Sequence, residues 1–237
     1  MFEQRLLRYA EENNREYIYR SLRHAIMTLQ LLPQTVLNEE SIAAQFNVSR
    51  TPVHEAIIKL KEEFLVEVRP QSGSFVTLID IKQVNEGHFM RSTIEPKIVS
   101  HLAGFLPLEY VDRLQKNLMQ QQQSILDELP PNVILSLDDQ FHQMIYEAAN
   151  KPHIWMATKN VNSHFDRLRF IVAKYNSSVL EKIYNEHKRL YNILLIGMLT
   201  TFDFYDFYDA HLSMYEKSIE EIVTKHPDYF DLDSFGS

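Results

Sequence analysis

Asp138 and His142, in the run DDQFH, stand four residues apart, which puts both on one face of a helix and within reach of a single ion. His187, in NEHKRL, and His211, in DAHLSMY, fall in later segments of helical pattern. Three imidazoles and one carboxylate suit Zn²⁺, Ni²⁺ or Mn²⁺, with a position left for water or a ligand oxygen. Spacing alone leaves a second reading open, because a histidine on an apolar face is commonly a core residue whose polar atoms neighbours satisfy. A different chemistry is offered by FNVSRTPVHEAII. Ser49 and Thr51 are short hydroxyls at a helix start, suited to phosphate oxygens together with the free amides there, and Arg50 in the first turn can grip guanine O6 and N7 through two bonds. A plain helix cap is the alternative for this run.

The elements that must hold these residues fall into two textures. In residues 17–29 the apolar positions Ile18, Leu22, Ala25, Ile26 and Leu29 recur at helical spacing, and Pro33 ends the segment. Asn38 stands where a cap belongs, followed by Glu39 and Glu40, with Ile42, Ala43 and Phe46 on the inner face of a short second helix. Asn47 suits the turn into a third helix, capped by Ser49, with Pro52 tolerated in its first turn and an inner stripe of Val53, Ala56, Ile57 and Leu60. The period then changes. Leu65, Val66 and Val68, then Phe75, Val76 and Leu78, flank the turn Pro70-Gln71-Ser72-Gly73, which predicts a β-hairpin whose glycine tip lets it approach a minor groove. From about residue 80 onward only helical stripes remain, over 81–102, 108–126, 133–150, 153–173, 178–198 and 202–224, punctuated by Pro107, Pro130-Pro131, Pro152 and the 175–178 stretch. Gln120 to Gln123 read as a solvated helix face. The pattern predicts a mainly α protein: a winged helix-turn-helix over 1–79, an all-helical bundle of six to seven helices over 80–226 and an acidic tail over 227–237.

Charge agrees with that division. The chain has 237 residues and formal net charge −8. Between residues 15 and 79, however, Arg15, Arg20, Arg23, Arg50, Lys59, Lys61 and Arg69 balance Glu16, Glu39, Glu40, Glu55, Glu62, Glu63 and Glu67, so the excess acid lies elsewhere. An acidic chain can therefore still carry a nucleic-acid surface near its start, with salt-sensitive binding. With no cysteine there are no disulfides or thiolate ligands, which suits the cytoplasm, and no apolar run approaches a membrane span.

The run from Tyr17 to Leu78, with LNEESIAAQFNVSRTPVHEAIIKLKEEFLV and QSGSFV, resembles the DNA-binding domain of the GntR family of bacterial transcription regulators. Three departures stand out: VHEAI for the usual VREAL, so His54 sits where a DNA-contacting Arg is usual; EFL for EGL, with Phe64 for glycine; and PQ for PG at Pro33-Gln34. A non-glycine residue in a left-handed turn costs about 1 kcal/mol, so the last two predict rebuilt turns. Residues from about 80 to 223 resemble the FadR-type effector-binding (FCD) domain, through MRSTIEP with Arg91 and Glu95, EAANKPH, and the motif filled by Asp138, His142, His187 and His211. The stretch 195–203, LIGMLTTFD, blurs that domain's usual turn.

That resemblance implies a regulator, most simply a repressor, and not an enzyme. Ser49, Arg50, Thr51, His54 and Gly73 would face a palindromic operator in a homodimer. A divalent metal, zinc first and nickel or manganese after it, would organise a pocket for a small carboxylate effector clamped by Arg91 together with Arg167 or Arg169; the alternative for these arginines is a surface ion pair. Two rival readings keep the residues and change the role: a metal-free pocket for an acyl or other organic ligand, and a His/Asp metalloenzyme, for which no general base or oxyanion partner stands out.

Overall fold

The computed structural model describes residues 6–197 and 204–235. They form two compact units, one from Met1–Val84 and Val223–Ser237, the other Asn85–Ile222.

In the first unit, α1 (Asn14–Met27) begins at a capping box: Asn13 accepts from the Glu16 amide while the Glu16 side chain accepts from the Asn13 amide. This cap stops the helix from running back into residues 6–13. At the other end α1 stops at Met27, before Pro33, and Leu29 takes a left-handed conformation with φ 58°. Asn38 caps α2 (Glu39–Phe46), its side chain accepting from the Ser41 amide at 2.9 Å, and Asn47 closes it at φ 56°, ψ 50°. Ser49 occupies the cap position of α3 (Arg50–Glu62), as the sequence predicts, yet its hydroxyl makes no capping bond. β1 (Val66–Arg69) and β2 (Gly73–Val76) pair antiparallel, with Arg69 opposite Gly73. Ile18, Leu22, Ile42, Val53, Ile57, Leu60 and Val76 meet in one core. The two departures at turn glycines did not rebuild the turns: Gln34 and Phe64 hold φ 64° and 58°. Residues 227–235 also pack in this unit, because Ile79 bridges Phe230, the Ile79 amide donates to Tyr229 O at 2.9 Å and the Ser234 hydroxyl accepts from the Ile81 amide at 3.0 Å.

The described elements of the second unit are all helices: α4 (Ile81–Leu102), α5 (Leu108–Leu126), α6 (Pro131–Ala148), α7 (Pro152–Val161), α8 (Ser163–Tyr175), α9 (Ser178–Ile196) and α10 (Phe204–Leu212), continuing through a 3-10 segment to α11 (Ile219–Lys225). Two expected helices are each divided. The 153–173 segment breaks at Asn162 between α7 and α8, and the last one passes through the 3-10 segment Ser213–Ser218. The blurred turn of 195–203 and the expected helix limits at 198 and 202 fall largely outside the described residues. Every residue of α8 from Ser163 to Ala173 is buried, which makes α8 the central rod of the bundle, packed against α6, α7 and α9. No described helix is long and apolar enough to cross a membrane.

Candidate metal centre and nucleic-acid interface

α6 turns Asp138 and His142 inward together, α9 supplies His187 and α10 supplies His211. Each imidazole offers a nitrogen, and the three nitrogens lie within 4.8 Å of one another; all three side chains are buried. Phe141 stacks on His187 with centroids 4.4 Å apart.

Neighbours orient these rings. Asn117 Nδ2 donates to Leu137 O at 2.9 Å, which directs Asn117 Oδ1 to accept from Gln121 Nε2 at 2.6 Å; Gln121 Oε1 is then left to accept from His187 Nδ1 at 2.9 Å. A carbonyl can only accept, so the His187 proton sits on Nδ1 and the lone pair on Nε2. His211 Nδ1 meets Glu186 Oε2 at 2.5 Å, and the same logic leaves its Nε2 for a ligand. His142 Nδ1 lies 3.0 Å from Glu95 Oε2 without the alignment of a hydrogen bond. Both nitrogens of His142 and Nε2 of His187 are buried polar atoms with no hydrogen-bond partner. Burial pushes the His142 pKa down despite Glu95, and drives that of His187 well below the usual imidazole range, with His142 and His211 adding to it. Neutral imidazoles with unshared lone pairs are the form a metal requires, so these residues fit a divalent ion.

Asp138 stands beside the cluster and is shared. Its Oδ1 is 3.4 Å from His187 Nε2, while Oδ2 is held by Arg169 Nη2. Arg169 also reaches Asp139 at 2.9 Å and Asp166 at 2.8 Å, and Lys159 bridges the same two carboxylates. Burial alone would lower the Arg169 pKa, but Asp138 and Asp139 reverse this and hold it well above the ordinary value. Two cations against three carboxylates leave this network one negative charge in excess, which favours a cation nearby. Of the arginines expected to clamp a ligand, Arg91 is buried with Nε and Nη2 on Glu95, at 2.7 and 3.4 Å. Arg167 is buried in α8, where desolvation brings its pKa down to about 9.

Sequence reasoning misread Gln121. Expected on a solvated face, it is 1% exposed and orients His187. The signal was present: Leu114, Asn117, Leu118 and Gln121 repeat at helical spacing, and all are buried. Glu186 as the orienter of His211 was missed as well.

On the first unit, Ser49, Arg50, Thr51 and His54 are exposed at the start and first turns of α3, and Gly73 is exposed on the hairpin with φ 111°. Two neighbours not singled out from sequence join them. Glu39 touches both Arg50 and His54. Arg69, on β1, donates to Gln34 Oε1 at 2.7 Å, pairs with Glu67 and lies over the Phe75 ring.

A winged helix with an exposed recognition-helix start, in one chain with a helical bundle, defines a DNA-binding transcriptional regulator. The particular family follows from comparison with known proteins. Residues 14–76 match the family model of bacterial regulatory proteins of the gntR family, and residues 86–197 match the FCD domain. The HTH-type transcriptional repressor RspR of Escherichia coli K12 is 34% identical over 179 residues, covering 76% of this chain and 78% of that protein. An HTH-type transcriptional regulator from an unstable DNA locus of Streptomyces ambofaciens is 33% identical over 184 residues, covering 78% and 76%. Among solved structures, E. coli McbR/YncC superposes with TM-score 0.62 at 17% identity over 91% of this chain and 99% of that one, and a GntR regulator from Rhodococcus sp. RHA1 with TM-score 0.63 at 20% identity over 89% and 97%. These two likenesses speak to the fold. The chain belongs to the GntR family and carries an FCD domain, as FadR-type members do; these are families of transcriptional regulators, not of enzymes.

Proposed function

We propose that this regulator is a repressor whose operator affinity is set by a small carboxylate bound at a metal-organised pocket in the FCD unit. One observation carries the reading: three buried imidazoles converge from α6, α9 and α10, two of them with Nδ1 committed to Gln121 and Glu186 and Nε2 left over. His142, His187 and His211 would hold a divalent ion, zinc by ligand chemistry, with Asp138 Oδ1 as the fourth ligand while Arg169 steadies Oδ2. The ion supplies a positive centre that can take an acid's oxygen. Arg91, through the side of its fork that Glu95 does not engage, and Arg167 would meet the rest of the acid.

On the DNA side, Arg50 reads a guanine edge, Ser49 and Thr51 grip phosphate, His54 adds a contact, and the wing around Gly73 approaches the minor groove. A homodimer presents two such surfaces to a palindrome. The effector shifts DNA affinity only by its differential affinity for the two arrangements of the dimer. Elemental analysis of protein purified without a histidine tag tests the carrying observation: the expected result is one divalent ion per chain after zinc supplementation, lost in His187→Ala. Absence of stoichiometric metal in the parent protein would remove the site.

A further inference from the structure

Glu39 opens α2, yet its carboxylate faces α3. Oε1 lies 2.8 Å from His54 Nδ1 and Oε2 lies 3.5 Å from Arg50 Nη2. Arg50 and His54 are four apart on α3, so one face offers both to DNA and one carboxylate from the neighbouring helix engages both. Their side chains are 68% and 60% exposed and that of Glu39 is 23% exposed, so the contact sits in the reading surface and not in the core. Glu39 does not cap α2; Asn38 does that.

Magnitudes give this arrangement a use. An ion pair this exposed is worth a few-fold in equilibrium at most. One exposed cation on one phosphate is of the same order, whereas a bidentate arginine–guanine contact discriminates by about ten- to hundredfold. A carboxylate here cancels the first kind of contact and yields to the second. The surrounding segment has no net charge, so the loss of even one cation matters to binding without sequence preference.

We propose that Glu39 is a specificity-determining residue, which withholds Arg50 and His54 from the phosphates of non-operator DNA and releases Arg50 to a guanine edge. The proposal rests on Arg50 as the base-reading residue. Glu39→Gln keeps size and helix position and removes the charge. Fluorescence anisotropy would compare it with the parent on a random-sequence duplex and on a duplex selected by the parent from a random library, over about 50 to 200 mM salt. The expected result is random-duplex affinity raised about two- to fivefold, with a log–log salt slope steeper by about one, and selected-duplex affinity changed less than about twofold. A merely structural role would not steepen the slope. Unchanged random-duplex affinity and slope, or weakening on both duplexes, would overturn the proposal, the second outcome making Glu39 a strut for Arg50. Arg50→Ala keeps two failures apart. If it leaves selected-duplex affinity intact, the base-reading role of Arg50 falls; if it weakens that affinity while Glu39→Gln changes nothing, the proposal about Glu39 alone falls.

Discussion

His187 owes its orientation to Gln121, a residue 66 positions away in sequence, and that separation explains what could and could not be read in advance. Asp138 and His142 are legible because a helix sets their spacing, so the pair announces itself locally. Gln121 has no such local signature; a glutamine in a glutamine run looks like solvent-facing surface until the bundle closes and α5 turns Leu114, Asn117, Leu118 and Gln121 inward together. The sequence also could not show that Asp138 is shared between the histidines and Arg169, since buried charge partners from three helices meet only in the folded bundle. Removing Gln121 leaves His187 in place but unsteered. Gln121→Ala should therefore weaken zinc binding about 10- to 100-fold, read by competition with a chromophoric chelator, while the helical circular dichroism signal persists.

Among the elements, the cap of α2 was legible, whereas Ser49 holds the cap position of α3 without a capping bond. Asn38 has the right side chain in the right place, and its bond to the Ser41 amide satisfies a donor the helix itself cannot. Asn38→Ala should cost about 1 kcal/mol of stability and Asn38→Asp much less, measured by urea denaturation of the two variants beside the parent. Breaks inside a continuous apolar stripe were less legible: the pattern runs unbroken through Asn162, where α7 gives way to α8. Close approaches between distant loops leave no periodic trace either. Gly104, at φ +75°, donates its amide to Leu194 O at 3.0 Å, and a Cβ there would stand 3.2 Å from the Cα of Gly197. Gly104→Ala meets both an unfavourable φ and a crowded backbone, so thermal unfolding should show a loss of about 1 kcal/mol or more, whereas Gly73→Ala meets only the first. The packing of residues 227–235 against Ile79 was out of reach for the same reason, being a pairing across some 150 positions.

For the molecule as a whole, the ordered succession of three short helices, a hairpin and then helices alone sufficed to read the class, because each local pattern agreed with its neighbours. Net charge misleads unless it is divided: the DNA-reading segment is neutral and the acid lies elsewhere. The proposed function depends on linkage between the FCD unit and the winged helix, in which an effector must change DNA affinity and DNA must change effector affinity by the same factor. The direct measurement is operator affinity of the untagged, zinc-loaded protein, taken by quantitative footprinting on DNA upstream of its own gene, with and without a panel of small carboxylates, alongside His187→Ala. A protected palindrome is expected, with at least one acid changing its affinity by about fivefold or more in the parent and none doing so in the variant. The same change in both proteins, or no protected palindrome, would contradict the account.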